Sequence, residues 1–250
     1  MKNVVVKGAG IIVLLMSAFL VRSPAVHATD IQVNEGQSIQ EAINRAQPGD
    51  TVTVQKGTYT EALTIDQSIS LIGEEGAVID GNGTGNVITI TGNDITIEGL
   101  TVQNSGVDAT DSGIYVQEGQ NHIIKDNVLK DTMHGIYMND SRDAVISGNQ
   151  ISSVSEHFSN RGSGIFIFKG SGYTIDDNVM MSVQDGIYVE SASDMTLRNN
   201  EAYSSRYGLH FMFAKDVLAE ENHMERNITG MMIMDSESIQ VLNNEVINQF

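Results

Sequence analysis

Gly186-Ile187-Tyr188-Val189, Gly208-Leu209-His210-Phe211 and Gly230-Met231-Met232-Ile233 are three copies of one pattern, each glycine 22 residues after the last. Fourteen residues beyond each glycine stands an asparagine: Asn200, Asn222 and Asn244. The series runs backward through Gly164 with Asn178, Gly135 with Asn149 and Gly113 with Asn127. One interval, Gly135 to Gly164, is 29 residues, but the glycine-to-asparagine offset stays fourteen. That is a seven-residue insertion within 152–163 rather than a loss of phase. A fixed period in this range marks a repeat architecture.

Column by column, the repeat gives its secondary structure. One and three residues after the glycine the positions are almost all apolar: Ile114/Val116, Ile136/Met138, Ile165/Ile167, Ile187/Val189, Leu209/Phe211, Met231/Ile233. Further apolar columns are Ile124, Ile146, Ile175, Leu197, Ala219, Val241 and Leu129, Ile151, Met180, Ala202, Met224, Val246. Each unit therefore holds about three short strands with alternating inward side chains. Twenty-two residues are too few for a propeller blade, and no leucine-rich consensus is present. The pattern predicts an all-β fold, a right-handed parallel β-helix of about eight coils. In it Asn127, Asn149, Asn178, Asn200, Asn222 and Asn244 stack as a structural amide ladder. The repeat glycines read as turns with little room for a side chain.

Upstream, Ile39, Ala42, Ile43 and Ala46 share one face of a short helix, with Ser38 as N-cap and Glu41 completing a capping box. This helix is expected to cap the N-terminal end of the solenoid, where strand edges would otherwise be open. No matching cap follows Asn244, so the chain reads as C-terminally incomplete. At the other end, Lys2 and Lys7, an apolar run to about Val21, and Val26-His27-Ala28 have the form of an export signal. The expected organisation is a signal peptide over 1–28 and one β-helix domain over 29–250, in the periplasm or otherwise outside the cytoplasm.

Composition limits the partners. The 250-residue chain has no cysteine, so neither disulfides nor thiolate metal sites occur. Without Lys2, Lys7 and Arg22, 11 basic residues face 32 acidic ones. Such a surface repels phosphate backbones, and nucleic acid is not an expected partner.

Candidate chemistry lies in the outward columns. Two residues after the glycine stand Tyr115, Tyr137, Phe166, Tyr188, His210 and Met232; four after it, Gln117, Asn139, Phe168, Glu190, Met212 and Met234. The face is aromatic in the first four of these coils and turns to His and Met in the last two. Adjacent coils are ~4.8 Å apart and alternate residues ~6.6 Å apart along a strand, so His210, Met212, Met232 and Met234 form a quartet. One imidazole with thioethers suits Cu(I) and not hard cations. A protein-contact surface and a face without a role are the alternatives. Met138, Met180, Met195, Met224 and Met231 fall on inward positions and read as core filler. A second group, His134, Asp185, Arg206, Tyr188 and His210, can line a groove, overhung by Glu156, His157, Phe158 and Arg161 of the insertion. A carboxylate, an arginine and a histidine beside aromatic rings would suit an enzyme acting on an acidic sugar; a solvated face is the plainer alternative.

The segment Arg206-Tyr207-Gly208-Leu209-His210-Phe211-Met212 resembles the NosD family. Asp185-Gly186-Ile187-Tyr188-Val189, Arg161-Gly162-Ser163-Gly164-Ile165 and the Ser38–Gly73 opening are similar too. The resemblance implies an exported, non-catalytic β-helix protein needed for maturation of nitrous oxide reductase. It further implies partnership with an ABC-type ATPase and its permease, and copper handled at His210 and Met212. The competing expectation is a polysaccharide lyase, hydrolase or epimerase on the same fold. Against it, no Asp-Pro-His, Gly-His-Gly or Arg-x-Lys signature occurs in the repeat.

Overall fold

A computed structural model describes residues 28–153 and 160–250. The signal-like leader up to residue 27, and Glu156, His157 and Phe158 of the insertion, lie outside the described residues. Short parallel strands form three sheets of 10, 8 and 9 strands, here A, C and B. Each strand pairs with its equivalents one coil before and one coil after. Ile124 thus follows Ile97 and precedes Ile146 in sheet A, while Leu129 lies between Val102 and Ile151 in sheet B. The chain is a parallel β-solenoid of about ten turns.

The expected count of about eight coils falls short, for a visible reason. In the N-terminal part, successive sheet A partners are Val52, Leu71, Ile97 and Ile124, unevenly spaced and without the glycine–asparagine marker. The coils there vary in length, so a fixed period cannot find them, although their inward aliphatics stack in the same columns.

The core is those columns. Ile97, Ile124, Ile146, Ile175, Leu197 and Ala219 are all fully buried, as are Val102, Leu129, Met180 and Met224. Burying each large aliphatic contributes about 1.5–3 kcal/mol. Each coil covers the one before it; on the last described coil Ile233, Val241 and Val246 are exposed.

Beside the aliphatic columns runs the asparagine ladder. Each Asn side-chain amide from Asn127 to Asn222 donates to the carbonyl oxygen of the next asparagine, at 2.8–3.0 Å. That same oxygen accepts the backbone N–H of the preceding asparagine, at 3.0–3.1 Å. The amide also donates to a main-chain carbonyl of the coil before, as from Asn200 to Ile175 at 2.8 Å. One side chain thus satisfies the backbone of its own coil and of its neighbours at a bend. The residue just before each asparagine (Asp126, Gly148, Asp177, Asn199, Glu221, Asn243) is left-handed, with φ between 51° and 66°. Asp, Asn and Gly tolerate that conformation best.

The repeat glycines do not mark turns. None of the six from Gly113 to Gly230 has a positive φ, and most lie within the first residues of sheet C strands. Their constraint is steric: a Cβ on Gly186 would stand 2.4 Å from the carbonyl oxygen of Gly208 and 2.7 Å from the Ala202 Cβ. The glycine column lets sheet C approach the inward residues of sheet B.

The helix runs Ile39–Arg45 and buries Ile39, Ala42 and Ile43 against the first coils. Ser38 is its N-cap, accepting from Glu41 N at 3.2 Å. The carboxylate at this end is Glu61 of the following coil, not Glu41: it accepts from Ile39 N, Gln40 N and the Ser38 hydroxyl at 2.9, 3.2 and 2.8 Å. The capping box is therefore completed across coils, with the negative group where the helix dipole favours it.

Candidate functional site

Sheet C brings the outward columns together. The strand Tyr207–Met212 pairs with Asp185–Glu190 on one side and Thr229–Met234 on the other. In register, Tyr188, His210 and Met232 form one column, and Glu190, Met212 and Met234 the next. Met212 and Met232 are half-buried, and Met234 is exposed.

His210 is not the open ligand that alternation suggests, since only 6% of its surface is exposed. Alternation tells which side of a sheet a residue takes, not what else lies there. The Tyr188 ring stacks on the imidazole at 4.5 Å and 15°, and the Tyr207 ring meets it edge-on at 5.0 Å. Asp185, at the start of its strand, lies 2.9 Å from His210 Nδ1 through Oδ2.

Asp185 is completely buried rather than lining an open groove. Arg206 binds it in a fork, Nε donating to Oδ1 at 2.8 Å and Nη2 to Oδ2 at 2.7 Å. Burial pushes the Asp185 carboxyl up. The hydrogen bonds from His210 and Arg206, together with the guanidinium charge, outweigh this and hold it below its ordinary value. Arg206 itself stacks over the Tyr207 ring at 4.6 Å. A fully buried carboxylate committed to three hydrogen bonds is poorly placed to act as an accessible base.

His210 Nε2 is buried and has no hydrogen-bond partner among the described residues. A buried polar atom left so is unusual and points to a missing partner. The nearest column neighbour on the next coil is Met232. Among the described residues no group of three or more His, Cys, Asp or Glu is placed to hold a metal. The donor set here is one imidazole nitrogen with thioethers, which fits a soft monovalent ion and not a hard cation.

Tyr188 links the two columns. Its hydroxyl donates to Glu190 Oε2 at 2.8 Å and lies 3.7 Å from the Met212 sulfur. Burial and then the Glu190 carboxylate push the phenol well above its ordinary value. Glu190 was visible in the outward column, but its role emerges only from this contact.

The aromatic column upstream is a continuous stack: Tyr137 on Phe166 at 4.6 Å, Phe166 on Tyr188 at 4.8 Å, with Tyr115 edge-on to Tyr137 at 5.2 Å. His134 belongs to this part and not to the Asp185 cluster. Its ring lies 5.6 Å from both Tyr137 and Phe166. Its Nδ1 accepts from Ser163 N at 3.0 Å, which leaves Nε2 to donate to the Ala109 carbonyl at 3.1 Å. Burial pushes its pKa down. The single groove expected from the sequence therefore separates into a cluster of buried Asp185 and His210 with half-buried Arg206, Tyr188 stacked on the imidazole, and a histidine clamp at His134. From the insertion, Arg161 reaches the Ser204 carbonyl at 3.4 Å.

Comparison with known proteins bears on the fold and on part of the chain. Residues 147–249 match the family described as periplasmic copper-binding protein (NosD), and residues 75–178 match the right handed beta helix region. No curated protein gave a significant match. Among solved structures, the alginate lyase from Paenibacillus sp. str. FPU-7 is similar at 15% identity and a TM-score of 0.59, over 86% of this chain and 99% of that one. The pectin methylesterase from Aspergillus niger is similar at 13% and 0.58, over 85% and 84%. The A-module of the Azotobacter vinelandii mannuronan C-5 epimerase AlgE6 is similar at 18% and 0.55, over 84% and 70%. Likeness at these identities carries the fold and not the chemistry. The NosD family match covers the coils that hold Asp185, Arg206, His210, Met212, Met232 and Met234; over those coils the chain is similar to that family, and its fold is the right-handed β-helix.

Proposed function

We propose that this chain is a non-catalytic, exported accessory protein that handles copper during copper-site assembly of nitrous oxide reductase, working with an ABC-type ATPase and its permease. The observation that carries the reading is the buried, unpartnered His210 Nε2 beside the in-register Met232, within the region that matches the copper-binding family. His210, Met212, Met232 and Met234 would hold the ion, and Cu(I) would supply the soft acceptor that thioethers prefer. The protein's own contribution is orientation: Tyr188 and Tyr207 fix the imidazole plane, and both the half-buried and the exposed methionines remain reachable by a partner. Export to the periplasm or another extracytoplasmic space belongs to the same reading, which the family's description supports. No helix among the described residues is long and apolar enough to cross a membrane.

Copper content of nitrous oxide reductase from cells lacking this chain tests the proposal. Restoration by the wild type and not by His210→Ala/Met232→Ala is expected; full copper loading without the chain would refute it. The competing reading, an enzyme acting on acidic polysaccharide, predicts shortened or unsaturated products from a panel of uronate polymers. Such products, lost in Asp185→Asn, would replace the copper reading.

A further inference from the structure

We infer that Asp185 and Arg206 are a positioning pair that fixes the tautomer of His210, so that Nε2 alone presents a lone pair toward the methionines. The inference rests on the copper reading of the same site and deepens it. Asp185 is fully buried and held by the Arg206 guanidinium in a two-bond fork, the geometry of an ionised carboxylate, which can only accept. Its Oδ2 is 2.9 Å from His210 Nδ1, which therefore carries the hydrogen. In a neutral imidazole the other nitrogen is then an acceptor, and that nitrogen is the one with no partner.

Arg206 makes this arrangement tenable. Two hydrogen bonds from its guanidinium at 2.7 and 2.8 Å compensate the buried carboxylate charge. Asp185 then needs only a neutral N–H from His210 and not an imidazolium. An unpaired buried carboxylate would be costly. The Tyr188 face at 4.5 Å and the Tyr207 edge at 5.0 Å allow the ring little rotation. Carboxylates that orient a ligating histidine through its far nitrogen recur at metal sites, and their loss weakens binding by about 10–100-fold. Neither Asp185 nor Arg206 need touch the ion.

The test is a long-range proton–nitrogen NMR correlation on the metal-free, nitrogen-15-labelled protein, read with competition for Cu(I) against a chromophoric chelator. The wild type is expected to show His210 protonated at Nδ1 and bare at Nε2. In Asp185→Ala the pattern should become mixed or reverse, and Cu(I) affinity should fall about 10–100-fold. If the unpaired Arg206 prevents that variant from folding, Asp185→Ala/Arg206→Ala removes both charges and carries the same expectation. His210 bare at Nδ1 in the wild type, or an unchanged tautomer in the folded variant, overturns the inference. A wild type that shows the expected tautomer and no Cu(I) competition would leave the positioning pair standing and defeat the copper reading instead.

Discussion

Asn200→Ala should be among the most damaging single substitutions in this chain, although it removes only one polar side chain. Asn200 is 2% exposed. Its Oδ1 accepts from the backbone N and the side-chain amide of Asn178 at 3.1 and 3.0 Å. Its own amide donates to the Ile175 carbonyl at 2.8 Å and to Asn222 Oδ1 at 3.0 Å. Alanine breaks all four bonds and strips a partner from the Asn178 N–H and the Ile175 carbonyl, in a place that water cannot easily reach. Each buried polar group left unpaired costs about 1–3 kcal/mol, so the loss should be roughly 3–5 kcal/mol. Asn244 makes similar bonds but is only half-buried, so solvent can replace them. Asn244→Ala should therefore cost about 1 kcal/mol or less. Urea unfolding followed by circular dichroism, with the slope checked for constancy, measures both. Equal losses at the two positions, or an Asn200→Ala within about 0.5 kcal/mol of wild type, would refute the ladder as a source of stability.

Other outcomes follow from the same geometry. Burial holds both His122 and His134 below their ordinary pKa of 6.5, so the folded state binds fewer protons than the unfolded chain just below that value. Stability should be fully present above about pH 6.5 and decline as pH falls below it. His122→Phe should flatten that decline in urea midpoints taken across the range. Gly186→Ala forces a Cβ against the Gly208 carbonyl and should lower stability by about 1–3 kcal/mol; a neutral result in thermal unfolding would contradict the steric reading of the glycine column. Burial pushes the Tyr173 phenol up to about 12, while its hydrogen bonds to Ser141 partly oppose this. The unfolded chain ionises its tyrosines near pH 10, so stability should fall as pH rises from there toward 12. Tyr173→Phe should weaken that alkaline dependence in urea midpoints.

How far the sequence carried this account varies with the kind of interaction. The Gly–Asn offset revealed the coil because it repeats, and the inward columns followed from period-two alternation along each strand. The early coils were undercounted because Leu71, Ile97 and Ile124 stack without equal spacing. The role of Glu61 at the helix was not legible, since it joins Ser38 from the following coil. Neither was that of Asn227, buried and bonded to Ser205 N and the Ala202 carbonyl, because it forms no repeating column. At the site, the register placed His210 next to Met232 and Met212 next to Met234. It did not reveal that Asp185 is fully buried or that Arg206 binds it in a fork. Those contacts depend on side-chain reach across a coil boundary, which column position alone does not encode. The grouping of His134 with Asp185 failed for the same reason: both precede a repeat glycine, but they lie on different coils with different partners.

Competition for Cu(I) between the protein comprising residues 29–250 and a chromophoric chelator tests the central claim most directly. The account predicts that the wild type withdraws Cu(I) from the chelator and that His210→Ala/Met232→Ala, folded by circular dichroism, no longer does. Equal competition by the wild type and the double variant would contradict it.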